Sequence, residues 1–550
     1  MILVSQLKKV FALFLAAALA VSMTACGNGG GGSTQAGSGT SSGTATTPKK
    51  VLRFGEADPK TSLDMQTNTY AATAAIAHNV IEPMVVYDSE FNLTPVLLTK
   101  LPTVSSDGLT YSFELKSGVK FGNGETLTSD DVKYTFERMF TPSTGATSTY
   151  MYDMIKGAKE MLDGKAATLS GFKKISDTKF EITLTAPYSC FVRNLAIDYA
   201  GIFPEKACKS AGSDWGLNTL IGTGPFTMEE NKQNIGVTLV KNPNYHGTPA
   251  NVDEIDIKYC NDSNTMMMEY EKGTIDICAL DTTLYKQYAG DSKFKDQIHP
   301  YMPLGTVFIS LNNKDKVFKN EKVREALSYA IDRKTICENL LGGTATPANG
   351  FLNPQIPGYS KDLPQYEYNV AKAKQLLTEA GYPNGVDVTL TSTTKYSWSL
   401  KVFTAIQAEA KSAGFNIKVD NVDAATYNSK RKNGQLQAQW GNWYALYPDG
   451  DNQMYTYLYS SSAALKSCFY NSSDFNKLVT EARTSLDENK RTELYKQANE
   501  LATHKDFAVI PLYYEKSYYL SKPYVKNLKI NNLIYYFTGV DIDTSLESSK

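Results

Sequence analysis

An α/β protein of layered mixed sheets, split into more than one lobe, is the fold class this sequence predicts, and three observations predict it. At 550 residues the chain exceeds what one ordinary hydrophobic core supports. Stretches of period two and period 3.6 alternate along the body, the pattern of strands succeeded by helices. Hydrophobic residues make up 42% and charged residues 21%, the balance of a folded globular chain.

The elements follow in order. Tyr111, Phe113 and Leu115 alternate like a half-buried strand after the turn Ser106-Asp107-Gly108. Thr128, with Asp131 three residues on, forms a capping box for a helix whose Val132, Phe136, Met139 and Phe140 share one face. Asn320 caps a second helix, with Val323, Ala326, Leu327, Ala330 and Ile331 at helical spacing. A third runs from Val370 to Ala380 and stops at Gly381, a residue suited to a left-handed C-terminal cap. Phe403, Ile406, Ala410 and Ala413 mark a fourth, closed by Gly414 and followed by the alternating strand Phe415, Ile417, Val419. No internal repeat is present.

Composition narrows the function classes. Fifty-six basic residues balance 57 acidic ones for a net charge of -1, which argues against nucleic acid, whose binding needs a basic stripe. The chain carries 35 Tyr beside 23 Phe and 4 Trp. Such rings suit polar organic ligands, because they offer flat apolar faces with a hydrogen-bonding edge. They also suit exposed strands, which favour Tyr for structural reasons alone. The cysteines beyond the N-terminal region, Cys190, Cys208, Cys260, Cys278, Cys337 and Cys468, show no CxxC spacing, and the four histidines, His78, His246, His299 and His504, stand singly. Neither pattern reads as a metal site. An exported chain permits disulfides, and Cys260 and Cys278 close two strand-like runs.

The N-terminus carries an export signal. Lys8 and Lys9 precede an apolar run from Val10 to Val21, too short to cross a bilayer core that needs about 20 residues. Met23-Thr24-Ala25-Cys26 follows, and small residues before a cysteine at this place resemble the bacterial lipobox, with Met23 where Leu is usual. Residues 1–25 are then a signal peptide and Cys26 the lipidated, palmitate-bearing N-terminus. From Gly27 to Thr47 the chain is nearly all Gly, Ser, Thr and Ala, so residues 26–49 form a flexible tether reaching about 25 Å. Within it, Gly39 to Gly43 matches a nucleophile-elbow pattern, but a floppy tether cannot strain the serine as that elbow requires.

Four stretches in order carry a resemblance. They are SSDGLTYSFELKSGVKFGNGETLTSDDVKYTFERMF from Ser105; IGTGPFTMEE from Ile221 with VKNPNYHGTPANVDEIDIKY; FKNEKVREALSYAIDRKTI with GGTATPANGFLNP and AKAKQLLTEAGYPNG; and DFNKLVTEARTSLDENKRTELYKQANELA before AVIPLYY. Together they resemble the family 5 extracellular solute-binding proteins of ABC importers, the oligopeptide- and dipeptide-binding group, from about Val51 to Asn531. The resemblance implies a two-lobed periplasmic-binding-protein-like fold (type II, large), with an extra domain on the first lobe. The implied boundaries are 50–78, 215–299 and 507–550 for the first lobe, 79–214 for the extra domain and 300–506 for the second lobe. The chain is then expected to cross between lobes near Tyr301 to Asn312 and near Phe507 to Tyr513. The implied function is capture of an oligopeptide or dipeptide by a monomer that has no catalytic residues, cofactor or metal. Delivery goes to ABC permease subunits with separate ATPases, at the outer face of the cell membrane.

In peptide-binding members a Trp-x-x-Asp-Tyr segment of the second lobe supplies an aspartate to the ligand's α-ammonium, a charge that is costly to bury unpaired. The matching segment here runs Trp443-Tyr444-Ala445-Leu446-Tyr447-Pro448-Asp449, with Leu446 at the aspartate position. Either Asp449 substitutes from the neighbouring turn, or the ligand brings no buried N-terminal charge. Trp440, Trp443, Tyr444 and Tyr447 are the expected stacking faces, and on the resemblance Glu56, Lys60 and Thr306 complete the candidate ligand contacts. An oligosaccharide or other non-peptide solute is the alternative ligand, since sugars stack on aromatic rings and bring no ammonium. A secreted hydrolase finds no Ser-His-Asp or paired-carboxylate constellation.

Overall fold

The structure, a computed structural model, describes residues 49–547 except 89, 532 and 533. The expected lipidation site Cys26, the signal peptide and nearly all of the tether lie outside the described residues. Two large sheets organise the body. The first has seven strands in the spatial order Ile298–Tyr301, Ser517–Ser521, Ile277–Leu280, Val51–Glu56, Glu254–Tyr259, Gly236–Lys241, Phe226–Lys232. Val51–Glu56 runs parallel to both of its neighbours, and the remaining pairs are antiparallel. The second has six, in the order Ala345–Pro347, Val509–Glu515, Gly305–Leu311, Ala438–Tyr444, Val386–Thr393, Phe415–Val422.

Helices with readable caps cover these sheets. The Asn320 side chain accepts from Lys322 N at 3.0 Å to start Glu321–Tyr329. Phe403, Ile406, Ala410 and Ala413 of the helix Ser397–Lys411 and its end are fully buried. Gly414 then takes φ +99°, which lets the chain reverse into Phe415–Val422.

The chain passes between the sheets twice. Residues 302–304 separate Tyr301 from Gly305, and Lys516 alone separates Glu515 from Ser517. The second passage therefore falls later than the expected 507–513. Val509–Glu515 pairs with Gly305–Leu311 on one side and Ala345–Pro347 on the other. It is buried from Val509 through Tyr514, and a strand buried on both faces needs a neighbour along each edge. Residues 509–515 thus belong to the second sheet, not to the first lobe.

Within 79–214 a four-stranded antiparallel sheet, in the order Thr103–Val104, Thr110–Glu114, Lys179–Thr183, Phe172–Lys174, packs with the helix Ser129–Phe140. The Thr128 capping box starts that helix, and Thr128 N donates to Asp131 Oδ2 at 2.9 Å. Phe113 and Phe172 stack on Phe180 at 4.9 and 5.1 Å. This region shares one continuous core with the first sheet, joining Phe54 to Phe136 and Phe180. Among the described residues the six cysteines are free and buried, so Cys260 and Cys278 form no disulfide. Also among the described residues, no group of His, Cys, Asp and Glu is placed to hold a metal ion. No described helix is long and apolar enough to cross a membrane.

Candidate functional site

The segment expected to anchor ligand leaves the second sheet at the end of Ala438–Tyr444 and turns into the short helix Gly450–Gln453. Asn452 holds the turn, its Oδ1 accepting from Trp443 Nε1 at 3.0 Å and from Leu446 N at 3.4 Å. Tyr444 lies across Gly305, where a Cβ would come within 2.2 Å of the ring, so only glycine fits beneath it. Tyr444 Oη donates to Glu515. Burial raises both of these groups above their ordinary values, and for Tyr444 the Glu515 charge adds to the rise.

Leu446 is turned outward and keeps 38% of its surface exposed. It borders a cavity of about 150 Å³ that lies between the lobes. Second-lobe residues Leu304, Tyr444, Ala445 and Pro448 continue its wall. Opposite them stand Met65, Ala71, Ala74 and His78, with Val86, Tyr87, Ile197 and Asp198 from the extra region. The lining is mostly apolar. Its polar feature is the pair His78 Nδ1 and Asp198 Oδ1 at 2.7 Å. Burial opposes protonation of His78, but Asp198 outweighs it and raises the imidazole above its ordinary value.

Asp449 is not free to take the role expected of an anchoring aspartate. It is 3% exposed, caps Gly450–Gln453 through Asp451 N at 2.9 Å, and pairs with Arg491 Nη2 at 2.5 Å and Arg193 Nε at 3.2 Å. Asp451 beside it accepts from Arg483 Nη1 at 3.0 Å, Tyr447 Oη at 2.9 Å and Tyr188 Oη at 3.2 Å. Arg193 and Tyr188 come from the extra region and the others from the second lobe, so this charged seam joins the two. Burial works against the Arg483 charge, yet Asp451 and the surrounding tyrosines hold it above its ordinary value.

Several expected contacts fall elsewhere. Tyr447 is 2% exposed, and its hydroxyl belongs to the seam. Trp440 is 4% exposed and packs on Phe403 in the second-lobe core. Thr306 is buried and donates to Phe351 O at 2.9 Å. These three are structural because their strand or turn is buried where they stand, whichever face they take. Trp443 is half-buried against Tyr457 and borders a separate cavity of about 130 Å³ within the second lobe, together with Trp440, Tyr427 and Arg431. Lys60 is exposed, 3.4 Å from Asp58 Oδ2. Glu56 ends its strand half-buried, accepting Ala57 N at 2.7 Å, and burial pushes its carboxyl up to about 7. Of the nine candidates, Tyr444 and Leu446 line the inter-lobe cavity. The sequence reading missed His78 and Asp198, which lie 120 positions apart and share no local motif.

Comparison with known proteins identifies the family and the fold. The model of bacterial extracellular solute-binding proteins, family 5 (middle region), matches residues 92–464. Heme-binding protein A of Haemophilus influenzae is 29% identical over 471 residues, covering 80% of this chain and 82% of that protein. Glutathione-binding protein GsiB of Salmonella typhi is 29% identical over 479 residues, 85% of this chain and 89% of its own. Among solved structures, the ABC transporter-associated periplasmic binding protein DppA from Helicobacter pylori, in complex with peptide STSA, superimposes with a TM-score of 0.74. It is 25% identical and covers 90% of this chain and 98% of that one.

Proposed function

Because the chain belongs to the bacterial extracellular solute-binding proteins of family 5, the binding components of ABC importers, we propose that it captures a small peptide or peptide-like solute between its lobes and hands it to a membrane permease. The observation that carries this reading is the cavity beside Leu446, walled from both lobes and bordered by Leu304 of the first passage between the sheets. A ligand touching both walls favours the closed form by its differential contacts. A hinge of a few residues can absorb the change. The DppA structure, with its bound peptide, supports a peptide ligand.

The apolar wall at Leu446 changes what kind of peptide fits. Asp449 is engaged with two arginines, so a free N-terminal ammonium placed beside Leu446 loses water without gaining a counter-charge from either residue. The ligand accordingly presents an uncharged group there. An oligosaccharide or other non-peptide solute is the second reading, favoured by that same wall and by Trp443 and Tyr427 around the neighbouring cavity. Mass spectrometry of the molecule that copurifies with the protein decides between them. A recovered peptide supports the first reading, a glycan the second, and failure of any peptide, glycan or copurified solute to bind on calorimetric titration rejects both.

The protein is anchored to the outer face of the membrane through a lipid on Cys26. The lipobox-like Met23 to Cys26 and the tether behind it support this, since a lipid supplies membrane affinity that a body of net charge -1 lacks. Cys26→Ser is expected to move the protein from the membrane fraction to the soluble one with its fold unchanged. Retention after a high-salt wash would show that the anchor lies elsewhere.

A further inference from the structure

The inter-lobe cavity has a size and a polarity that together specify an occupant. Its volume of about 150 Å³ matches that of apolar cavities able to hold a benzene ring. Met65, Ala74, Val86, Leu304 and Leu446 supply apolar surface around it. Tyr444 donates to Glu515 and Tyr536 donates to Tyr87 O at 3.4 Å, while Tyr87 Oη is sealed away without a partner among the described residues. His78 is different. Its Nδ1 is taken by Asp198 at 2.7 Å, which fixes the ring's orientation and places a proton on that nitrogen. Nε2 bonds to no described residue, and it is not among the sealed polar atoms that lack partners. The imidazole thus lines the cavity with one nitrogen satisfied and the other accessible.

We propose that this cavity is a pocket for a single hydroxylated ring, of the size and chemistry of a tyrosine side chain, and that His78 Nε2 is the partner of its hydroxyl. The proposal rests on the reading of this cleft as the solute site and adds the group that the solute carries into it. A phenol fills the apolar volume with its ring. Its hydroxyl can both donate and accept, so it matches Nε2 whether the imidazole is neutral or protonated. A plain hydrocarbon ring of the same size leaves Nε2 stripped of water with nothing in return. Asp198 acts through His78 as a positioning residue. Glu82 is the other charge acting on His78, but its carboxylate is occupied by His246 at 2.8 Å and Thr223 at 2.9 Å.

The test uses p-cresol and toluene, the side-chain analogues of tyrosine and phenylalanine, with the full-length protein. Ligand-detected NMR titration is expected to show p-cresol binding about tenfold more tightly than toluene. In wild-type protein labelled with ¹⁵N-histidine, which has only four histidines, p-cresol and not toluene is expected to shift the His78 Nε2 resonance. His78→Leu is expected to erase the preference while toluene still binds. Ala74→Phe, which fills the cavity, is expected to lose both probes. Equal binding of the two probes, no binding of either, or a preference that survives His78→Leu would overturn the proposal. The wild-type labelling result decides the matter even if His78→Leu fails to fold. Peptide titration of the same wild-type sample separates the two readings. A protein that binds peptides but ignores p-cresol refutes the pocket alone, and one that binds p-cresol but no solute refutes the transport reading alone.

Discussion

Leu446 and Asp449 lie three positions apart on one turn, yet their surroundings are opposite. Leu446 faces open volume between the lobes and makes no polar demand on its neighbours. Asp449 is sealed beneath it, and every charge near it is matched: Arg491 and Arg193 on Asp449, Arg483 on Asp451. Apolar surface can border a cavity at modest cost, because the hydrophobic effect asks only for removal from water. A buried charge cannot wait for a partner, because leaving it unpaired costs several kcal/mol. The cleft is therefore adjustable on the Leu446 side, while the seam on the Asp449 side fixes how the extra region and the second lobe meet.

The largest effect that tests this contrast is on stability. Arg491 is 1% exposed and holds Asp449 from within the second lobe. Arg491→Met is expected to destabilise the protein by about 3–5 kcal/mol, the usual cost of removing one partner of a buried pair. The double variant with Asp449→Leu should recover part of that loss: it removes both charges and Arg193 keeps Glu488 at 2.9 Å, but the cap on Gly450–Gln453 is lost. Chemical denaturation of the three proteins measures this. A single-variant cost under about 1 kcal/mol would mean that water reaches the seam, and the contrast with Leu446 would collapse.

The next effect concerns ligand choice. Leu446→Asp places a carboxylate on the cavity wall, and a peptide with a free α-amine should then be preferred over its N-acetylated form by about 1.5–3 kcal/mol, the range for a hydrogen bond to a charged group. Wild type should discriminate little between the two. Calorimetric titration of both proteins with both peptides reads this out. A strong wild-type preference for the free amine that persists in Leu446→Ala would place the ammonium site elsewhere in the cleft.

How much of this could be read from sequence depends on the range of the interactions. Caps and turns are local, so Thr128 with Asp131, Asn320 and Gly414 announce their helix ends within four residues, and the structure places them there. The apolar run of Val509–Glu515 reads as a buried strand, but its sequence is equally suited to either sheet, and only its pairing with Gly305–Leu311 assigns it. The expectation of an aspartate at Leu446 comes from a neighbouring Trp and Tyr that set the frame. The fate of Asp449 was not legible, because its partners Arg193 and Arg491 come from distant segments that no spacing rule connects. His78 was hidden for the same reason, its meaning resting on Asp198 far along the chain.

Glu56 offers the smallest effect and extends the contrast to a third case, a carboxyl enclosed without a cation. Among the described residues its carboxylate accepts a hydrogen bond from the neighbouring Ala57 N, and burial pushes it up to about 7 from an ordinary value near 4.5. The folded state therefore holds this proton where the unfolded chain releases it. Between about pH 4.5 and 7 the folded form binds more protons, so stability from this group falls as pH rises through that window and is flat above it. Glu56→Gln removes the titration. Relative to wild type the variant should gain about 1–2 kcal/mol at pH 8 over its difference at pH 4, a discounted fraction of the shift because the side chain is only half-buried. Comparing the two proteins at each pH cancels every other titrating group. Parallel stability curves across the window would mean that Glu56 is solvated in the folded protein. Diverging curves would identify Glu56 as a carboxyl that its burial keeps protonated in the folded protein.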